Sequence, residues 1–478
     1  MSTEGRVLRN TGIVLGVGIA SKLIGALFVL WIARYLGSAG FGTYTFALSF
    51  ASVFVVFADF GLDALAIREV ARARPEHRLR EILLLRLLLA GIIAIALTLA
   101  ALVLVRDALL VVLLGGAASL VDKIGGTYYA LFRGHERMEL EGAVQLTWRG
   151  VQISLGAAVI LTDGGLVAMM LALLCAALIR LTAAVLLSSI LPASRRPVKG
   201  WAMRWAGAAV PFAVYELTYA VYAGLVPLAL YLLSTPEQVG WFGAAQRTIG
   251  FVVLIPLSLE AAIYPVLSRL YRDGQEVMRR GALTTMRLLL FFAVPAGFVI
   301  ATLSSDITLL LFGRGYDPLP LAVLGATLPV IALNAVLRSV LWSCDLQGRA
   351  ALNLAVSTLV LGGVLYLLIC MMDGVGALIG AVSLALAESM LLILGLWAAV
   401  PVLKTMRQWL WQHAAAGCMA VSVCFSIYTF TAGALAPWLL GVIGAIAYAA
   451  CALALKGVDR ADVRLLSSGL RGAFRRPG

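Results

Sequence analysis

Long apolar runs alternate along the chain with short polar segments rich in arginine. A helix that crosses a bilayer needs about 20 apolar residues, in a range of roughly 17–25. The runs fit that length fourteen times. The predicted spans are 10–34, 41–66, 81–105, 108–132, 143–162, 165–191, 205–233, 238–267, 283–304, 319–344, 350–371, 374–400, 412–432 and 436–455. The first run is too long for a signal-peptide core and lacks a cleavage site, so it is read as a retained span.

Composition narrows the class further. Hydrophobic types make up 62% of the 478 residues and charged types 13%, about half the ~25% usual in soluble domains. Mean hydropathy is +0.99. These values exclude a soluble enzyme, a disordered chain and a fibrous one. No polar stretch is long enough for a separate soluble domain. The expected fold class is an all-α polytopic membrane protein.

The formal net charge of +13 would suggest nucleic acid in a soluble protein. Here it is distributed as topology. Of the 37 basic residues, 27 fall in the two tails and the alternate loops of one side, and only Arg34, Arg106 and Arg314 in the opposite loops. The positive-inside rule then places both termini in the cytoplasm and removes nucleic acid as a partner. The six cysteines lie in apolar runs without a Cys-x-x-Cys pair, and the three histidines are far apart, so no metal or disulfide framework is expected.

An internal echo suggests symmetry. Phe41-Gly42-Thr43-Tyr44 opens span 2, and Val239-Gly240-Trp241-Phe242 opens span 8, with an offset of 198 residues or six spans. Phe132-Arg133-Gly134 and Trp342-Ser343-Cys344 similarly close spans 4 and 10. An even number of spans inserts both copies the same way up. The expectation is two six-helix lobes related by a pseudo-twofold along the membrane normal, with a substrate site between them. The lobes are assigned to 1–200 and 201–403, the two extra helices to 404–455, and a basic cytoplasmic tail to 456–478.

Several short motifs resemble those of one family. Asn10-Thr11-Gly12 opens span 1, and Tyr35-Leu36-Gly37 leads into Gly40-Phe41-Gly42-Thr43-Tyr44. Asp59-Phe60-Gly61-Leu62 is followed by Arg68-Glu69-Val70-Ala71, and Leu311-Phe312-Gly313-Arg314-Gly315-Tyr316 closes span 9. Together with the span count, these motifs resemble the Wzx-type oligosaccharide flippases of the MOP superfamily. The resemblance implies a transporter that turns over an undecaprenyl-diphosphate-linked oligosaccharide by alternating access. Its implied partners are the lipid-linked oligosaccharide, membrane lipids and glycan-assembly enzymes such as a polymerase and glycosyltransferases. Lipid II flippases and cation-coupled multidrug exporters of the same superfamily are the alternatives. The exporters commonly use an acidic residue in the first span, whereas this chain has Lys22 there and no acid between Glu4 and Asp59. No cofactor is expected, with coupling to a proton or sodium gradient or to membrane potential left open. A membrane-embedded transferase would need clustered carboxylates. Glu136, Glu139 and Glu141 lack a partner cluster and are read as a solvated turn.

With Arg34 and Arg287 counted in the loops they adjoin, seven basic residues lie inside spans: Lys22, Arg86, Lys123, Arg149, Arg180, Arg247 and Arg338. A charge at membrane depth costs at least ~2.5–3.5 kcal/mol and faces protein or water. A diphosphate crossing the bilayer would be stabilised by such cations through charge-assisted hydrogen bonds. Lys22 and Arg247 are therefore expected to hold the diphosphate, with Arg149 and Arg338 at the cytoplasmic entry. Gln145, Arg149 and Gln152 form a stripe at i, i+4, i+7. Glu216 is either an ion-relay carboxylate or a salt-bridge partner. The alternative for all the cations is pairing with Asp122, Glu216, Glu260, Asp345 or Glu388. Arg86 is expected to snorkel, Lys123 to sit beside Asp122, and Asp59 to bridge a loop arginine. No catalytic residue is expected. Prolines are absent from spans 1–6 but occur at Pro211 and Pro227 in span 7, which marks that span as a hinge.

Overall fold

The computed structural model describes residues 3–59, 76–135, 137–189, 202–372 and 374–400, with a few positions between 439 and 450. Twelve α-helices carry the described chain. They are α1 (Thr3–Asp59), α2 (Glu76–Leu104), α3 (Leu109–Gly134), α4 (Met138–Leu161), α5 (Gly165–Ser188), α6 (Ala202–Leu233), α7 (Pro236–Asp273), α8 (Gln275–Thr302), α9 (Ser304–Phe312), α10 (Leu319–Ser343), α11 (Gln347–Met371) and α12 (Gly376–Ala399). No strand occurs among the described residues. Eleven of these helices are long and apolar enough to cross a membrane, and the chain is an all-α, multi-pass membrane protein. The predicted spans 13 and 14 lie outside the described residues, apart from the few positions near 439–450.

Predicted spans 1 and 2 run together as α1. A straight helix of its 57 residues would measure about 86 Å, far more than the ~30 Å of a hydrocarbon core. The element is in fact two helices meeting at Gly37, whose φ of 67° and ψ of 179° no other residue type adopts cheaply. Tyr35 braces the same end. Its hydroxyl donates to Asp163 Oδ1 (3.0 Å) and accepts from the Gly165 N–H (2.8 Å), pinning the tight α4–α5 turn.

By packing, the chain divides into two compact units, Met1–Gly243 and Ala244–Gly478, so the boundary falls inside α7. In the first unit α1 is the hub, in contact with α2, α3, α4 and α6, while α5 covers α3 and α4. In the second unit α10 packs against α8 and α12, and α11 against α12. The short α9 was not expected from the sequence, which ran span 9 straight into a loop.

The peripheral helix α2 shows how faces are chosen when every residue is apolar. Leu84, Leu87, Leu88, Ile92, Ile95 and Leu99 point outward, where lipid replaces water as the surrounding medium. The inward face carries Ile82, Arg86, Ala90, Leu97 and Ala101 at helical spacing. Small and polar residues, not hydrophobicity, mark the packed side of a membrane helix.

The echo at positions 42 and 240 proves to be a contact. A Cβ on Gly42 would lie 1.7 Å from the carbonyl oxygen of Pro236, and one on Gly240 would lie 2.0 Å from that of Ser38. A Cβ on Gly243 would lie 2.9 Å from Thr45 Oγ1. Position 38 plus the 198-residue offset is 236, 42 is 240, and 45 is 243. Corresponding positions therefore meet each other reciprocally, and backbone touches backbone where α1 crosses the start of α7. Only glycine permits that approach.

At the start of α8, outside the apolar span, Glu276 accepts from Arg279 (2.7 and 2.6 Å) and Arg280 (3.1 Å). The two guanidiniums hold its carboxyl down at about 2.

Candidate functional site

The charges inside the first unit fall into three arrangements. In the first, Arg86 of α2 is wholly buried and does not snorkel. It donates to Asp59 Oδ1 (2.6 Å), the Lys123 carbonyl (2.7 Å) and Thr127 Oγ1 (2.8 Å). Lys123 Nζ also approaches Asp59, at 3.5 Å. Asp59 thus binds helix-borne cations of α2 and α3, and Lys123 does not pair with its neighbour Asp122. Arg86 faces inward because it occupies the buried stripe between Ile82 and Ala90.

In the second, Glu141 of α4 is almost fully buried rather than solvated. It accepts both Arg133 Nε (2.8 Å) and Nη2 (2.7 Å), a bidentate pair. Gln145 Nε2 donates to the same carboxylate at 3.2 Å. This explains Gln145: the polar stripe on α4 is divided, and its first member belongs to the ion pair at the helix start.

The third arrangement centres on Trp148 and Arg149. Arg149 Nε donates to Ser21 Oγ (3.3 Å) on α1, and Nη1 donates to Gln152 Oε1 (2.5 Å) one turn along α4. Its Cζ lies 4.3 Å from the centroid of the Trp148 ring. The guanidinium is half-buried and has no carboxylate partner among the described residues. A guanidinium carries five N–H donors, so three remain without a described partner here. Arg180 of α5 shares the same indole, with Cζ 4.5 Å from its centroid. It differs in being neutralised, since it pairs with Asp122 and donates to the Tyr129 hydroxyl (2.6 Å). Two cations on one indole face a ring quadrupole worth about 0.5–2 kcal/mol to each.

Lys22 sits next to Ser21 on α1, exposed, with no ion pair among the described residues. Glu216 on α6 is likewise exposed and makes none. On the same helix Tyr219 is exposed and Tyr222 buried. α6 runs unbroken through Pro211 and Pro227.

The second unit handles its charges differently. Arg338 of α10 binds both oxygens of Glu260 on α7, at 2.7 Å through Nε and closer still through Nη2. Asn334, one turn before it, donates to the carbonyl (2.9 Å) and Oε2 (2.7 Å) of Glu388 on α12. Asp345 is not at membrane depth. It stands exposed in the α10–α11 turn with a φ of 57°. Arg247 is exposed on α7 and makes no ion pair among the described residues. Of the residues expected to bind, Arg149 and Gln152 are brought together, whereas Gln145 and Arg338 are each engaged by a carboxylate. Lys22 and Arg247 belong to different units. No group of three or more potential metal ligands occurs among the described residues.

Sequence reasoning missed Trp148. The signal for Trp148 was its place beside an intramembrane arginine, because an indole is one of the few side chains that stabilise a cation in lipid.

The fold is that of the MOP-superfamily transporters. It is similar to an inward-facing multidrug resistance MATE family transporter of that superfamily, with 15% identity, a TM-score of 0.67 and coverage of 80% of this chain and 94% of the other. It is similar to the lipid II flippase MurJ in its inward closed conformation, with 11% identity, a TM-score of 0.67 and coverage of 91% and 97%. A Vibrio cholerae MATE transporter gives 14% identity, a TM-score of 0.54 and coverage of 83% and 98%. No curated protein sequence matches the chain. The family model described as polysaccharide biosynthesis protein matches residues 7–271, more than half of the chain, and the chain belongs to that family.

Proposed function

We propose that the protein is a flippase that carries an isoprenoid-diphosphate-linked oligosaccharide, on undecaprenyl diphosphate, from the cytoplasmic to the outer leaflet of a prokaryotic inner membrane. The observation that supports this best is Arg149: a half-buried guanidinium at membrane depth, held by neutral partners, with three donors unspent among the described residues. Such a charge is costly unless an anion visits it, and the forked donors match paired phosphate oxygens. Lys22 on the adjacent helix supplies a second, mobile point charge, and Arg247 an exposed one in the second unit. Arg338 contributes less, because Glu260 already takes its fork. Membership of a polysaccharide biosynthesis family favours a glycan cargo.

On this reading the chain performs no bond chemistry. The isoprenoid tail stays in lipid while the headgroup passes along the cations by alternating access, α6 bending between Pro211 and Pro227. Both termini lie in the cytoplasm, where the assembling glycosyltransferases work, and a polymerase takes the product on the other side. The coupling is to an ion gradient or to membrane potential.

The test is leaflet exposure of an undecaprenyl-diphosphate oligosaccharide in proteoliposomes. Wild type should expose the headgroup, and Arg149→Gln should slow exposure at least about tenfold, the equivalent of one strong charge-assisted contact. Normal flipping by the variant would remove Arg149 from the path. No flipping by wild type across several glycans and imposed gradients would favour a cation-coupled exporter of small amphiphiles.

A further inference from the structure

Arg149 is held against a particular backbone position. A Cβ built on Gly25 would lie 2.4 Å from Arg149 Cζ, 2.5 Å from Nη1 and 2.6 Å from Nη2. The three distances are nearly equal, so the guanidinium plate lies across the place where a methyl group would stand. Gly25 is one turn after Ser21 on α1, and the i, i+4 spacing puts the serine hydroxyl and the bare glycine on one face. Ser21 Oγ takes the Nε edge while Gly25 leaves room for the plate itself. Gln152 fixes Nη1 from α4. Among the described residues, both Nη2 donors and the second Nη1 donor have no partner, and Nη1 and Nη2 together form the end of the fork.

We propose that Gly25 is the positioning residue of the anion site: its missing side chain is a notch that seats the Arg149 guanidinium edge-out, ready for two phosphate oxygens. The proposal rests on the reading that Arg149 meets the headgroup. Gly25 lies within a helix, and its backbone does not itself demand glycine. The atoms a Cβ would strike are the far end of a flexible side chain, not backbone. Alanine at 25 is therefore accommodated by moving the guanidinium, while the helices stay in place. Gly156 contrasts with it on α4: a Cβ there would lie 2.1 Å from the Phe28 ring, so the same change is a packing fault. A Cβ on Gly150 would meet nothing within 4 Å, which makes it the neutral control beside Arg149.

The experiment uses the full chain in nanodiscs and two readouts. One is the Kd for undecaprenyl diphosphate, the lipid without sugar. The other is the rate at which phenylglyoxal modifies Arg149, followed by peptide mass spectrometry. Gly25→Ala should weaken the lipid Kd about tenfold, the scale of a lost charge-assisted contact, and change the labelling rate of Arg149 severalfold. Gly150→Ala should alter neither. Adding Gly25→Ala to Arg149→Gln should cost nothing further, because the notch acts only through the guanidinium. In an Arg149→Lys background, where no plate fills the notch, Gly25→Ala should again be silent, and this arm holds even if the single variant folds poorly.

Unchanged Kd and unchanged labelling in Gly25→Ala would overturn the proposal. So would additive losses with Arg149→Gln, which would mean that Gly25 acts through helix packing. If Arg149→Gln binds the lipid as wild type does, the headgroup reading itself fails and the binding role of the notch falls with it. An altered labelling rate in Gly25→Ala would then mark that failure as one of ligand assignment rather than of geometry.

Discussion

Arg149 and Arg338 look alike in the sequence: each is a lone guanidinium in an apolar helix with amide side chains one turn away. Their surroundings are opposite. Arg338 in the second unit is closed by the Glu260 carboxylate, while Arg149 in the first has a serine, a glutamine and an indole. A charge in a membrane helix is therefore not informative by itself. What separates the two is whether a facing helix supplies the counter-charge, and on the proposed function the cation without one is kept for a ligand.

The largest effect should come from breaking the closed pair. Arg338→Ala leaves Glu260, only 13% exposed, without its guanidinium, and should lower stability by about 3–5 kcal/mol, seen as a drop in the thermal midpoint in detergent. Arg149→Gln removes no ion pair and should leave that midpoint nearly unchanged while transport fails. Equal destabilisation by both would erase the distinction.

Next in size is the crossing of α1 with the start of α7, also in the first unit. Gly42→Ala must push the crossing backbones apart, since its Cβ would lie 1.7 Å from the Pro236 carbonyl oxygen. A cost of about 1–3 kcal/mol is expected, the usual range for overpacking. Gly91→Ala, in open space, should be neutral. Similar midpoints for both variants would show that the crossing is slack.

A subtler change converts one cation type into the other. Gln152→Glu supplies Arg149 with a carboxylate at the position that now accepts from Nη1. The fold should be kept, and binding of undecaprenyl diphosphate should weaken about tenfold as the carboxylate competes for the fork. Undiminished binding would mean that the absent counter-charge has no bearing on the ligand.

The smallest effect concerns Glu276, an exposed ion pair outside the membrane. Its carboxyl is held at about 2 by Arg279 and Arg280. A depressed value in the folded state contributes stability above the unfolded carboxylate range, and that contribution is lost as pH falls towards 2. Glu276 itself is exposed, so Glu276→Gln should scarcely move the midpoint between pH 5 and 8. Infrared titration of the carboxylate should still find it ionised at pH 3.

Most of the fold was legible, because hydropathy and arginine placement report the membrane directly. Predicted spans 3 to 12 each coincide with one helix, and Gly37 marks the turn that separates spans 1 and 2. The site was less legible for a physical reason. Inside an all-apolar helix hydrophobicity has no contrast, so the sequence does not say which face is packed. Arg86 lies within a snorkel's reach of the end of its span, yet it is buried by its place on the stripe of Ile82 and Ala90. Partner choice was equally hidden. Lys123 and Asp122 are neighbours in sequence but point about 100° apart on α3, so one meets Asp59 and the other Arg180. The division of Gln145 and Gln152 between two networks depends on Arg133, which pairs with Glu141, and on Ser21, both brought to α4 from other helices.

The reciprocal contact of residues 38–45 with 236–243 also bears on how this sequence can change. Two segments that echo each other in sequence are ordinarily free to drift apart, each answering to its own surroundings. Here each patch is the other's surroundings, so positions 42 and 240 behave as one genetic locus. A side chain admitted at either site prises open the same pair of backbones. The second substitution should then cost less than the first, a less-than-additive coupling that two independent helix contacts would not produce.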